Sequence, residues 1–470
     1  MRTIIYGPPG TGKTTKLISI MEEYLVNGGR PNRICFTSFT RKSIDEAVSR
    51  VQAKFGIIKD QLPFFRTTHS LAMGLSGLKN SDVVQFNHKK EIARFLGLEL
   101  TTKRSIDGTS YGMKDGDKMF HLSDYHRSKQ VDLETAWDET GRELSFAEVQ
   151  RFMKAYKEYK DSRLLVDFTD MLERFLVEGY IPDIDIMFVD EAQDLSRLQW
   201  QAVFKIEKKA EKSYIAGDDD QGIYGWNGSH VGTFINLEGD RRVLDISHRL
   251  NRPVYATAMA IISRVGNRVN KVFTPKKEEG KVNEIYYLED LPLEAGSWLL
   301  LARNGYMLKE YEDFCFEQGY LYESAGYGPK NWPEMQALLD YERFRRGDCE
   351  LSEQQAKNIF QFTSHKDWES GLPWYEFFDN VSPERIEYLR ACKRNGEKFL
   401  GKPRIQINTI HGVKGGEAEN VCVMLDLANT TWKSMEANPD EEHRVFYVAV
   451  TRAIDNLYIK QPKTNKFFDL

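Results

Sequence analysis

The chain has 470 residues, 41% hydrophobic and 29% charged, with a formal net charge of −5. The length predicts roughly two to four domains, and no apolar run is long enough to cross a bilayer. Five scattered cysteines without a CxxC pair argue against a zinc site or disulfide framework and fit a reducing compartment. The opening MRTIIYGPPG turns into a glycine loop too early for a secretory leader. These features predict a cytoplasmic protein without membrane contact. The weakly acidic balance neither announces nor excludes a nucleic-acid partner, because a local basic groove is enough.

In chain order, TIIYG, RICFTSF, FFRTTHS, DIMFVDE and SYIAGDD read as strands. Between the first two, KTTKLISIMEEYLVNGG places Leu17, Ile20, Met21, Tyr24 and Leu25 at helical spacing, and Gly28–Gly29 ends the helix. Strand, helix, strand of this kind predicts a parallel sheet covered on both faces. RVLDIS, KVNEIYYL, SWLLLAR, RIQINTIHG, NVCVMLD and NLYIKQ form a second set and predict a second sheet. Residues 78–160 break the rhythm, as do residues 347–400 with Trp368 and Trp374; both read as mainly helical insertions.

Three stretches carry chemistry. GPPGTGKT (7–14) fits G-x-x-x-x-G-K-[ST] between a strand and a helix. The loop of Gly7, Pro8, Pro9, Gly10, Thr11 and Gly12, with the start of the helix through Thr15, would wrap phosphates, its glycines letting backbone N–H groups face them. Lys13 would neutralise them, and Thr14 would offer a hydroxyl to Mg²⁺. A plain glycine turn is the bland alternative. IMFVDEAQD (186–194) is an apolar strand ending in acids, with Asp190 placed for Mg²⁺ and Glu191 to orient an attacking water; alone, it would read as a solvated turn. GDDDQGIYGWNGS (217–229) joins three acids, which suggest phosphate or metal chemistry, to aromatics that suggest a stacking platform.

With CFTSFTRKS, TTHS, DFTDML, DEAQD, GDDDQGIYGW, SHRLNRP, NTIHGVKGGEAENV and EEHRVFYVAVTRA following one another in order, the chain resembles the superfamily 1 helicases of the UvrD/Rep/PcrA type, in a compact form. The resemblance implies an α/β fold of two tandem RecA-like parallel-sheet domains, each with a helical insertion. The first takes 1–77 and 161–240 with 78–160 inserted; the second takes 241–346 and 401–470 with 347–400 inserted. It also implies ATP and Mg²⁺ as cofactors, with Gln221 sensing the γ-phosphate and Tyr224 and Trp226 touching DNA. Arg249 and Arg452 match arginines that reach the γ-phosphate from the second domain. Glu417 matches the acid that bonds the ribose, and Phe39, Thr68, His69 and His411 match the DNA track. Trp226 as a core tryptophan, and His69 and His411 as structural histidines, stay open alternatives.

The pattern is broken in places. Gly7 stands six residues from the start, without the preceding adenine-reading segment, and His248 replaces the tyrosine that stacks on adenine; weak base discrimination is expected. Asn227 stands where the family has an arginine, and Gly416 and Ala418 flank Glu417. The implied activity is a 3′→5′ translocase and helicase on single-stranded and duplex DNA, working with replication or repair proteins, in the host cytoplasm if the chain is phage-encoded. The alternatives are a translocase that displaces proteins and unwinds little, and a non-hydrolysing DNA-binding scaffold.

Overall fold

Six short strands, β1 (Arg2–Tyr6), β2 (Ile34–Ser38), β3 (Phe65–Thr67), β4 (Ile186–Asp190), β5 (Lys212–Gly217) and β6 (Asp240–Val243), pair in the order β3-β2-β4-β5-β1-β6. Every pairing is parallel. The computed structural model describes residues 1–101, 113–365 and 371–470, so Trp368 lies outside the described residues. The chain divides into two units, the first comprising 1–250, 259–277 and 435–447, the second the remainder.

The interior strands explain themselves chemically. ICFTS and IMFVD are buried at every position, as strands covered on both faces must be. On one face Leu17, Ile18 and Met21 of the helix Lys13–Val26 pack with Ala47 and Val51 of the helix Arg41–Phe55. On the other, Leu71, Leu172, Phe175, Leu198 and Val203 come from three further helices. Register sets the strand ends level: Ser38 lies beside Asp190, and Tyr6 beside Gly217.

RVLDIS does not open the second sheet. Asp240–Val243 pairs with the outer edge of β1, and the Leu244 N–H extends the ladder to the Tyr6 carbonyl at 2.9 Å. Its four side chains are exposed. Backbone pairing to a free edge, rather than an apolar face, decides where this strand goes.

The second unit holds β7 (Lys281–Ile285), β8 (Trp298–Ala302), β9 (Tyr322–Ser324), β10 (Ile405–Thr409), β11 (Ala418–Met424) and β12 (Ala453–Lys460), in the order β7-β12-β11-β8-β10-β9 and again all parallel. β9 is a three-residue edge strand that the sequence did not reveal. A helical cluster beside this sheet packs Met335, Leu338 and Tyr341 of the helix Pro333–Arg345 against Trp374, Phe377 and Tyr388. The Tyr341 and Phe377 rings stack at 4.2 Å.

In the first unit the helices Phe86–Phe95, Asp115–Lys129, Leu133–Glu139 and Phe146–Arg163 form their own core. Phe120 stands edge-on to Phe152 at 5.0 Å and to Tyr156 at 5.1 Å. Buried Lys160 pairs with Asp167 and Asp170, both at 2.5 Å, and Arg127 reaches Asp167 at 3.0 Å and Glu173 at 2.6 Å. These pairs pin the helical insertion to the helix Phe168–Glu178 beneath the sheet. Among the described residues no helix is long and apolar enough to cross a membrane.

Phe152 is fully buried in this small core. Phe152→Ala is expected to cost about 3–5 kcal/mol. Amide exchange in increasing urea should show earlier opening of the insertion helices while β1, β4 and β5 keep their protection.

Candidate active site

β1 ends at Tyr6 and the chain folds back on itself. The Gly7 N–H donates to the Gly217 carbonyl at 3.0 Å, and Thr11 closes the turn onto the Pro8 carbonyl through its N–H at 3.2 Å and its hydroxyl at 2.7 Å. Lys13 Nζ donates to the Gly7 carbonyl at 2.7 Å. Gly10 and Gly12 have φ of +72° and +77°, a left-handed backbone that disfavours side chains. A Cβ on Gly7 would lie 1.9 Å from Lys13 Cγ, and one on Gly10 2.4 Å from Arg249 Cβ. The loop is therefore a backbone cradle at the N-terminus of the helix Lys13–Val26, where N–H groups and the helix dipole favour an anion.

β4 ends beside it. The Thr14 hydroxyl donates to Asp190 Oδ2 at 2.8 Å. Burial, reinforced by the neighbouring Glu191 carboxylate, pushes Asp190 up to about 6 against the pull of Thr14 and Lys13. Two hard oxygen donors on a buried carboxylate that resists its own charge fit a divalent cation of the Mg²⁺ kind. Glu191 takes a left-handed φ of +51°, costly for a non-glycine residue. Gln193 secures it: its amide donates to Glu191 Oε2 at 2.6 Å, and its carbonyl accepts the Asp218 N–H at 3.0 Å. Gly217 permits that approach, since a Cβ there would lie 2.7 Å from Gln193 Oε1.

β5 delivers the three acids, and their partners correct the suspicion of metal or phosphate chemistry. Lys271, itself buried, lies 2.8 Å from Asp218 Oδ1 and 2.9 Å from Asp220 Oδ2, and also contacts Asp219. Arg268 forks onto Asp220 at 2.8 and 2.5 Å. Burial alone would raise Asp218; Lys271 and Lys13 overcome it and hold that carboxyl below its ordinary range. The Gln221 amide donates to Asp218 Oδ2 at 2.7 Å.

Aromatic rings follow at once. Tyr224 stacks on Phe39, at the end of β2, with centroids 5.5 Å apart, and meets Trp226 edge-on at 6.4 Å. The Trp226 ring lies 6.3 Å from His121 of the helical insertion. Trp226 is half-buried. At the end of β3, Thr68 is 1% exposed with its hydroxyl 3.3 Å from that of Thr37, so the structure places it in the interior rather than on a ligand-facing surface. His69 stands edge-on to the exposed ring of Phe168 at 5.9 Å.

The segment after β6 rests on the glycine loop. The Ser247 hydroxyl donates to the Pro9 carbonyl at 2.7 Å and the His248 N–H to the Gly10 carbonyl at 2.9 Å. Arg249 thus stands at the cradle within the first unit, not in the second domain as expected, because β6 belongs to the first sheet. The His248 side chain is exposed.

In the second unit Arg452 is buried. Its Nε donates to the Val448 carbonyl at 2.9 Å and another guanidinium nitrogen lies 3.3 Å from the Gly416 carbonyl, beside exposed Glu417. His411 is 3% exposed, in the turn after β10.

Comparison with known proteins decides the lineage. A profile of the UvrD/REP helicase N-terminal domain matches residues 1–242, and one of the UvrD-like helicase C-terminal domain matches 385–464. The chain belongs to the UvrD/REP helicase family. A probable DNA helicase of Mycoplasma pneumoniae is 22% identical over 99% of this chain and 81% of its own length. A probable DNA helicase II homolog of Rickettsia conorii is 24% identical over 67% of the chain, and the Rep helicase of Buchnera aphidicola 22% identical over 72%. The match spans about half the length of these last two, 54% and 55%. The two six-stranded parallel sheets are the tandem RecA-like domains of a UvrD/REP helicase.

Sequence reading missed Gln193, Lys271, Arg268 and His121. Gln193 lay inside a quoted motif and bears the amide that bridges two strand ends. The others sit far from DEAQD and GDDDQGIYGW in sequence, His121 before them and Arg268 and Lys271 after, and only the fold brings them to the site.

Burial pushes the His69 imidazole down to about 4 from its ordinary 6.5. A depressed base is neutral when folded and protonated when unfolded, so stability falls as pH drops from about 6.5 towards about 4. Thermal midpoints measured across that window should fall less steeply for His69→Gln than for the natural protein.

Proposed function

We propose that this chain is an ATP-driven motor that moves 3′ to 5′ along single-stranded DNA and unwinds duplex ahead of it. The observation that carries the reading is the single sheet edge at which the cradle, the Thr14–Asp190 pair, Glu191 and Gln221 meet, with an aromatic row beginning at Tyr224. Family membership supports ATP and DNA as substrates; the polarity rests on the likeness of DEAQD and YVAVTRA to the UvrD side of the superfamily.

The residues divide the work. Backbone N–H groups of Gly10, Gly12 and the first helical residues Lys13–Thr15, with the Lys13 ammonium, would hold the nucleotide phosphates in the loop that Gly7, Pro8, Pro9 and Thr11 shape. Thr14 and Asp190 would hold Mg²⁺, which when bound neutralises phosphate charge. Glu191, steadied by Gln193, orients the attacking water and accepts its proton. Arg249 brings positive charge to the cradle, suited to spreading phosphoryl charge; Arg452 is assigned the same task and Glu417 the ribose, by family likeness. Gln221 reports the phosphate state, and Phe39, Tyr224 and Trp226 offer faces on which bases stack irrespective of sequence. His248, exposed at the cradle, offers less stacking area to a base than a tyrosine, so GTP and CTP should support hydrolysis within about tenfold of ATP, a gap of about 1.4 kcal/mol; strict ATP dependence in a nucleotide panel would refute this.

Phosphate release with and without single-stranded DNA tests the core. Lys13→Ala should lose both nucleotide binding and turnover, whereas Glu191→Gln should still bind ATP while turnover collapses; wild-type turnover by the latter refutes its role. Trp226→Ala should keep basal hydrolysis and weaken DNA binding by about 1–3 kcal/mol. Strand displacement on duplexes with a 3′ or a 5′ tail decides polarity: unwinding only from 5′ tails overturns the stated direction.

A further inference from the structure

Lys271 is a buried charge that engages three carboxylates and belongs to none of the family motifs quoted above. It lies in the segment 259–277, which returns to the first unit far from β5 in sequence. Its ammonium meets Asp218, Asp219 and Asp220 together. The contacts divide by atom: Asp218 gives Oδ1 to Lys271 and Oδ2 to the Gln221 amide. The same returning segment adds the Val269 N–H to Asp219 Oδ2 at 2.8 Å and the Arg268 fork to Asp220. Arg444 ties the two segments by backbone, donating to the Asp219 carbonyl at 3.0 Å and the Asn267 carbonyl at 2.6 Å.

From this we propose that Lys271 is a positioning residue: through Asp218 it holds Gln221 at the nucleotide cradle and fixes the start of the aromatic row. The inference rests on the function proposed above. Three consecutive buried carboxylates repel one another. One compact ammonium placed among all three permits Asp218 to remain charged, with a fixed rotamer and a free oxygen for Gln221. Without it, the Asp218 carboxylate either takes a proton or turns away, and Gln221 loses its acceptor.

The test uses the full chain with Lys271→Met and, because that variant leaves buried charge uncompensated, Lys271→Met/Asp219→Asn, which removes one carboxylate charge as well. In hydrogen exchange, peptides covering 217–229 should exchange about tenfold faster in a folded variant, while those of β1 and the helix Lys13–Val26 keep the wild-type rate. DNA-saturated turnover should fall by about tenfold with the KM for ATP within about threefold, the split expected when transition-state geometry rather than ATP binding is lost. If Lys271→Met loosens the whole unit, the double variant decides. Wild-type exchange at 217–229 in either folded variant overturns the inference, as does wild-type DNA stimulation. A wild-type protein without DNA-stimulated hydrolysis would instead sink the proposed function, and the exchange comparison would still judge Lys271.

Discussion

The arrangement at the end of β5 depends on one buried ammonium. Three aspartates in succession are an unstable thing to place in a protein interior, since each charge is costly to desolvate and repels its neighbours. Lys271 and Arg268 resolve this, and in doing so they dictate where the chain runs after Gly217. Burial opposes the charge on Lys271, yet the three carboxylates raise its affinity for the proton, so it stays an ammonium. Such networks are weak evidence for net stability; here the geometric consequence matters more, because the carboxylates leave the lysine with defined orientations and one of them holds Gln221.

The rest of the site follows from strand order. With β4, β5 and β1 adjacent and parallel, their C-terminal ends open at one edge, where ligands of open α/β sheets bind. Each end presents a different chemistry: a buried carboxylate beside a hydroxyl, a side-chain amide, and a glycine loop at a helix N-terminus. Gln193 binds two of these ends together, accepting from the strand carrying Asp218 and donating to Glu191. The left-handed Glu191 backbone is sustained by that contact and by the close passage over Gly217, so the orientation of the proposed base depends on a glycine in the neighbouring strand.

The glycine loop, the acidic strand end and the alternation of strands with helices were legible in the sequence because each is written in contiguous residues of distinctive chemistry. RVLDIS was assigned to the second sheet because it follows the last motif of the first, whereas edge pairing to β1 places it in the first. Arg249, assigned to the second domain by resemblance, falls in the first unit. The acids at 218–220 invited a ligand reading because their counter-charge lies some fifty residues downstream in a segment with no pattern. Thr68 matched a motif, yet its side chain faces Thr37 in the interior. Local pattern reports what a residue can do; only the fold reports what it faces.

The aromatic row shows how the helical insertion takes part. Phe39 leaves β2, Tyr224 and Trp226 follow β5, and His121 comes from the insertion helix Asp115–Lys129, yet the four rings succeed one another at 5.5, 6.4 and 6.3 Å. Tyr224 follows Gln221 after only Gly222 and Ile223, and Ile223 is fully buried. A buried side chain between the Gln221 amide and the first ring limits how far one can move without the other. The Arg127 and Lys160 ion pairs hold the far end of the same insertion against the helix Phe168–Glu178. The rings therefore have packed structure on both sides, the strand ends at one and the ion-paired insertion at the other.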